Sequence, residues 1–211
     1  MLTTACTIGI SFGALAQANL ILNPIFNQGN NGGVPTDWSS SAGGNYNYLD
    51  KTAPSYAVGG QIYSFGWWDG VGIWQNTGAS IQANVSYDLS VAAEVGQSPL
   101  TGVTLSFQDV TKGWTSVASQ EFLFSTADQN SGQYETFTLS IPQSDLTSLI
   151  GDTIGVGVNL NENPNTQYGW VHLDNVSLVA VPEPGATALL TSAACGVVLF
   201  LCRKNQRRVT G

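Results

Sequence analysis

Between residues 19 and 180 apolar and polar positions alternate with a period of two, the pattern of strands that bury one face. Val85, Tyr87, Leu89 and Val91 continue through Ala93 and Val95, with polar or small residues pointing the other way. Val103, Leu105 and Phe107 alternate with Thr104, Ser106 and Gln108, and the same rhythm returns at Phe137, Leu139, Ile141 and at Ile154, Val156, Val158, Leu160. Turn-forming stretches separate the runs: "GQSPLTG", "TKGW", "DQNSGQ" and "NENPNTQYG". The last run, "WVHLDNVSLVAV", changes parity partway. Val171 and Leu173 share one face and Val176 and Leu178 the other, so one extra residue near Asp174-Asn175 would return both pairs to the core. A β-bulge is predicted there. A turn or two of helix is predicted in "PQSDLTSLIG", with Pro142 at its start and Gly151 as its cap. About eight or nine strands with one apolar face predict an all-β fold, a two-sheet β-sandwich with jelly-roll connections.

The two ends break this rhythm. Residues 1–18 form a short apolar stretch closing on Ala16-Gln17-Ala18, with no Lys or Arg ahead of it. Small residues at these two positions fit signal-peptidase cleavage before Asn19, so 1–18 reads as a signal peptide and 19–180 as the domain. At the other end Gly185 to Cys202 is a run of 18 uncharged residues. As a helix it would span ~27 Å, close to the ~30 Å hydrocarbon core of a bilayer. Arg203, Lys204, Arg207 and Arg208 follow at once, and such a cluster stays on the cytoplasmic side with everything upstream outside.

Charge and cysteine usage narrow the classes. Residues 19–180 hold thirteen acidic side chains against Lys51 and Lys112, a formal net charge of −11. That surface repels phosphate backbones, which excludes nucleic acid as a natural partner, and it suits a soluble exported domain. Cys6, Cys195 and Cys202 all lie in the terminal apolar segments. The domain therefore has no disulfide framework, cysteine zinc site or thiol nucleophile of its own.

The C-terminal segment resembles a known signal. Val181-Pro182-Glu183-Pro184, one apolar span and an Arg/Lys cluster, in that order, are similar to the PEP-CTERM sorting signal of exported bacterial proteins. The segment 181–211, with its transmembrane helix at about 185–202 and basic tail at 203–208, is the matching part. The resemblance implies recognition of Pro182, Glu183 and Pro184 by an exosortase after export by the secretion machinery. It also implies an inner-membrane-tethered precursor, and then a place on the cell surface or in the extracellular matrix of a Gram-negative bacterium that makes exopolysaccharide.

The domain itself resembles the galactose-binding-like jelly rolls that include many carbohydrate-binding modules. "NLILNPIFNQGNNGGVPTDW", "GIWQNTGASIQANVSYDLSVAAEV" and "VHLDNVSL" carry that resemblance. It implies one structural calcium ion near the first and last strands, with Asp174 as carboxylate ligand and Asn27 where the family often has Glu. An amide oxygen brings no charge to such a site, which weakens it.

Candidate chemistry centres on aromatics. All six Trp and seven Tyr lie between residues 19 and 180, and three Trp crowd into "WWDGVGIW". Adjacent Trp67 and Trp68 on a strand would face opposite ways, leaving one free to stack on a sugar ring, with Asp69, Gln75 and Asn76 to bind hydroxyls. Trp38, Tyr46 and Tyr48, in a Gly/Ser/Asn-rich stretch, form a second candidate platform; Trp74 adjoins the first. Enzyme chemistry has less behind it. His172 is the only histidine, no Gly-x-Ser-x-Gly elbow occurs, and Glu94, Glu121, Glu135 and Glu162 are the acids that a glycosidase pair could draw on. The sequence thus predicts an exported, non-enzymatic surface or matrix protein that binds carbohydrate or has a structural role. The alternative is a small glycoside hydrolase or lyase on the same scaffold.

Overall fold

The structure, a computed structural model, describes residues 18–30, 32–40, 47–50, 62–65, 72–97, 100–124, 133–162 and 170–183. The expected signal segment through Gln17, the sorting helix and the basic tail lie outside these residues.

The alternating runs become the strands of two five-stranded antiparallel sheets. In the first sheet β1 (Ser39–Ser40), β4 (Gly72–Ser80), β9 (Thr153–Glu162), β6 (Leu100–Asp109) and β7 (Thr115–Leu123) lie side by side in that order. In the second the order is β2 (Asn47–Asp50), β3 (Ile62–Phe65), β10 (Trp170–Pro182), β5 (Val85–Gln97), β8 (Glu135–Ile141). The count exceeds the sequence expectation because β1, β2 and β3 are short strands in a segment with no long alternation. The helical turn is present as α1 (Gln143–Leu146) and a 3₁₀ turn over Thr147–Leu149, closed by Gly151 at φ +94°.

Inward positions of both sheets form one buried core. Val103, Leu105 and Phe107 of β6 and Ile154, Val156, Val158 and Leu160 of β9 meet Tyr87, Leu89 and Val91 of β5 and Val171, Leu173, Val176 and Leu178 of β10. Each fully buried aliphatic side chain is worth about 1.5–3 kcal/mol relative to exposure. Aromatic pairs bridge the sheets: Tyr87 and Phe107 have ring centroids 5.5 Å apart, Phe122 and Phe137 5.2 Å. Burial pushes the Tyr87 hydroxyl above its ordinary range, and that hydroxyl accepts a hydrogen bond from the Gln82 amide at 3.0 Å.

The bulge falls where the parity change requires it. The β10–β5 register slips between Asp174 and Ser177, and Asn175 takes φ +47°. The N-terminal stretch stitches this irregularity. Asn19 bridges to Val179, donates from Nδ2 to the Val176 carbonyl (3.1 Å) and accepts from the Leu178 amide (3.0 Å), while the Val176 amide donates to the Pro24 carbonyl (2.9 Å). The following residues are clasped to the first sheet by Gln75. Its Oε1 accepts from the Leu22 amide, and its Nε2 donates to the carbonyls of Leu22 and Asp37, at 2.8, 2.8 and 3.2 Å. One side-chain amide thus replaces a missing strand partner.

Replacing Gln75 with Leu keeps the volume and strands both Leu22 backbone groups. The expected cost is about 2 kcal/mol, a fall in Tm of about 2–4 °C per kcal/mol in a chain of this size. Thermal unfolding followed by circular dichroism checks it, and an unchanged Tm would mean the clasp carries no stability.

Candidate functional site

Two sequence candidates, Trp38 and Gln75, are buried. Trp38 is 6% exposed; its ring packs on Phe26 at 5.4 Å and its Nε1 donates to the Asn23 carbonyl, so it belongs to the core and offers no free face. Gln75, 1% exposed, is fully engaged in the clasp on Leu22 and Asp37. Asn76 is exposed on β4, with Oδ1 accepting from the Gly78 amide at 2.9 Å. Trp67, Trp68, Asp69 and Tyr46 lie outside the described residues, as does the side chain of Tyr48.

What the structure assembles instead is a groove on the outward face of the first sheet. Inward alternation in β9 places Gly155, Gly157 and Asn159 outward, between two neighbours. Trp74 of β4 and Ser106 of β6 stand directly opposite Gly157, and Asn76 and Gln108 opposite Gly155. Trp74, Trp114, Gln108, Asn159 and Gly157 line a cavity of about 340 Å³. The floor exists because two outward residues lack side chains. A β-carbon on Gly155 would lie 2.8 Å from the Trp114 ring, and one on Gly157 2.6 Å from Ser106 Oγ. The Trp114 ring therefore rests against the bare α-carbon of Gly155, with the residue still 36% exposed. Among the described residues neither the Gln108 nor the Asn159 side-chain amide is engaged in a hydrogen bond.

A strained turn holds Trp114 in place. Gly113 and Trp114 both take left-handed backbone, φ +72° and +64°, a conformation that costs a residue with a β-carbon about 1–3 kcal/mol. The surroundings enforce it. Asp109 Oδ1 accepts from the Lys112 amide (3.1 Å), the Gly113 amide donates to the Val110 carbonyl (3.0 Å), and Thr111 Oγ1 accepts from the Thr153 amide (2.8 Å). The Lys112 ammonium lies 2.8 Å from Asp152 Oδ2 and 3.3 Å from Asp109 Oδ2. Burial of Asp109 opposes its ionisation, but the hydrogen bonds from Lys112 outweigh this and hold its carboxyl below the usual range. The signals for this site were in the sequence: outward glycines two apart in β9, and the Gly-Trp pair of "TKGW", which reads as simple turn punctuation.

The outward face of the second sheet carries a different cluster. Glu94 and His172 are register partners on β5 and β10, with His172 Nδ1 3.4 Å from Glu94 Oε2, both side chains buried. Asp174, two residues along, is 0% exposed; its Oδ1 accepts from the Asn175 amide at 2.7 Å, and its Oδ2 has no hydrogen-bond partner. The Tyr134 hydroxyl is likewise buried without a partner, and its pKa is driven up by burial and then by the Glu94 and Asp174 carboxylates. Burial pushes the Asp174 carboxyl up to about 7. Asp174 is the carboxylate that the family resemblance assigns to calcium. Asn27 is exposed, and among the described residues no group of three or more His, Cys, Asp or Glu side chains could hold a metal ion. The other acids are dispersed: Glu121 is exposed on β7 of the first sheet, Glu135 exposed at the start of β8, and the side chain of Glu162 lies outside the described residues. Among the described residues no carboxylate lines the groove.

No protein-family model matches the chain, and no curated protein matches it. Solved structures do. A cyclase from Fischerella sp. TAU is 18% identical with a TM-score of 0.59, covering 77% of this chain and 96% of its own. TmCBM61, a carbohydrate-binding module in complex with β-1,4-galactotriose, is 16% identical with a TM-score of 0.52, covering 76% and 97%. The arabinose-bound α-L-arabinofuranosidase MgGH51 is 14% identical with a TM-score of 0.56, covering 78% of this chain and 26% of its own. At these identities the likeness shows a shared β-sandwich fold, hosted by binding modules and enzymes alike.

The raised Asp174 pKa predicts a pH dependence with a definite sign. Stability from the neutral carboxyl is fully present below about pH 4 and is lost as pH rises through about 7. Relative to Asp174→Asn, the wild type should lose up to about 4 kcal/mol across that window. Tm against pH for both proteins measures this, and a chelator should leave the difference unchanged. A midpoint that moves with added calcium would put the metal on Asp174.

Proposed function

We propose that this is an exported, non-enzymatic glycan-binding protein of the cell surface or exopolysaccharide matrix, and that the groove between Trp74 and Trp114 is its binding site. One observation carries this reading: two partly exposed tryptophans flank a glycine floor beside two amides that have no hydrogen-bond partner among the described residues. Indole faces stack on the C–H faces of sugar rings, and free amides supply the donor and acceptor that a hydroxyl needs. Strain at Trp114 fits a ring fixed in advance of the ligand, so that less ordering is required on binding. The likeness to a module solved with a galactotriose adds fold-level support.

Sorting by the C-terminal segment belongs to the same reading. Pro182 closes β10 opposite Val85, and the Glu183 amide donates to the Asn84 carbonyl at 3.1 Å. The motif thus begins where the sandwich ends. In the proposed sequence of events an exosortase recognises Pro182-Glu183-Pro184 while the apolar helix and Arg203, Lys204, Arg207 and Arg208 hold the precursor in the inner membrane. Replacing Pro182-Glu183-Pro184 with three alanines should leave the protein as an uncleaved membrane precursor of higher mass. Fractionation and immunoblotting check this, and release at the wild-type mass would refute it.

The second reading, a glycoside hydrolase or lyase, draws on Asp174 and Glu94. The two lie diagonally across β5 and β10, one with a carboxyl that titrates near neutrality, as a general acid would. Their burial from solvent stands against it. Titration of the purified protein with the host's exopolysaccharide, followed by tryptophan fluorescence and assayed for released sugar, separates the readings. Binding weakened at least about tenfold (1.4 kcal/mol) by Trp114→Ala or Trp74→Ala, without sugar release, is the expected result. Sugar release lost in Asp174→Asn would favour the enzyme.

A further inference from the structure

The groove differs from its surroundings in charge. Among the described residues its lining of Trp74, Trp114, Gln108, Asn159 and Gly157 contains no ionisable group, on a domain with thirteen acidic residues and two lysines. Lys112, the lysine of the turn that carries Trp114, is already held by two carboxylates, Asp152 at 2.8 Å and Asp109 at 3.3 Å. A carboxylate entering the groove would lose hydration against two indole rings, find no cation among the described lining residues to compensate, and do so in a net negative field. Desolvating an unpaired charge in this way is strongly unfavourable. A hydroxyl meets no such obstacle, because it both donates and accepts, and the Gln108 and Asn159 amides offer both.

We infer that the groove selects uncharged glycans and excludes acidic ones, with a sugar ring seated over Gly157 between Trp74 and Trp114. This rests on the glycan-binding reading above and adds the ligand's charge class to it. The exclusion is local. It comes from a lining without a cation, whereas the net charge of the domain acts through solvent and is screened by salt. At about 1 M salt the Debye length is ~3 Å, so long-range repulsion vanishes while the desolvation cost inside the groove stays.

The test uses pairs of polymers with one backbone and two charge states: β-1,4-galactan, mannan and mixed-linkage glucan, each before and after oxidation of its C6 hydroxyls to carboxylates. The purified protein is titrated with each by tryptophan fluorescence and affinity electrophoresis, at 0.15 M and 1 M NaCl. At least one neutral polymer should bind, and its oxidised form should bind at least tenfold more weakly at both salt concentrations. Gly157→Val, which fills the floor, should lose the neutral polymer. Gln108→Lys, an exposed-face change that places a cation in the groove, should gain the oxidised one, and this gain keeps the test meaningful if the valine variant fails to fold. Equal or tighter binding of the oxidised polymer by the wild type would overturn the inference and leave glycan binding standing. So would recovery of that binding at 1 M NaCl, because it would place the exclusion in the domain's net charge. Binding of no polymer would overturn both.

Discussion

The sandwich depends on keeping both halves of β10 in register with the core. This strand is central to its sheet, pairs with β5 over most of its length, and contributes Val171, Leu173, Val176 and Leu178 to the buried set. Those four residues do not share a parity, and a regular strand would turn one pair out to solvent. The bulge at Asp174–Ser177 resolves the conflict, but it leaves ladder groups without strand partners, and an unpaired buried amide or carbonyl is costly. Asn19 and the Pro24 carbonyl supply the missing partners. The N-terminal stretch is thus held to the fold by hydrogen bonds at this irregular point of the longest strand pair, as well as by the burial of Ile21 and Phe26.

The groove follows from the opposite use of parity. On β9 the inward positions are the aliphatic Ile154, Val156, Val158 and Leu160, which fixes the strand in the core. The outward positions are small, which leaves a trough that a neighbouring ring can enter. Trp74 reaches it from β4 by strand register, and Trp114 arrives from a left-handed turn anchored on Asp109 and Lys112. On a scaffold common to binding modules and enzymes, two absent side chains and one strained residue shape this groove.

Much of the fold was legible because period-two alternation reports burial directly. The main strands and the bulge at Asp174-Asn175 followed from it, and Pro142 and Gly151 marked the helical turn before β9. The short strands β1 to β3 were not legible, since strands of two to four residues leave no period to read. The site was legible only in part, because sequence cannot separate an aromatic that packs inward from one that faces out. Trp38 and Gln75 are of the residue types that bind sugars, and the fold uses both as internal ties. Trp74 and Trp114 are of the same type, and strand parity and a turn place them outward. The pairing of Glu94 with His172 was hidden as well, because the residues are far apart in the chain and meet only through the β5–β10 register.

The place where β10 ends also has a mechanical meaning. Its final residues, Ala180 to Pro182, are still laddered to β5 through Tyr87, Ser86 and Val85, and Asn19 bridges Val179 at the same end of the sandwich. Tension on the chain beyond Pro182 runs along the axis of a central strand gripped on both sides for part of its length. Its hydrogen bonds lie perpendicular to that pull, so they are loaded together in shear and do not unzip one by one from an edge. A pull applied at Pro182 is therefore met by the whole described ladder at once, which makes this end of the sandwich the stiff one.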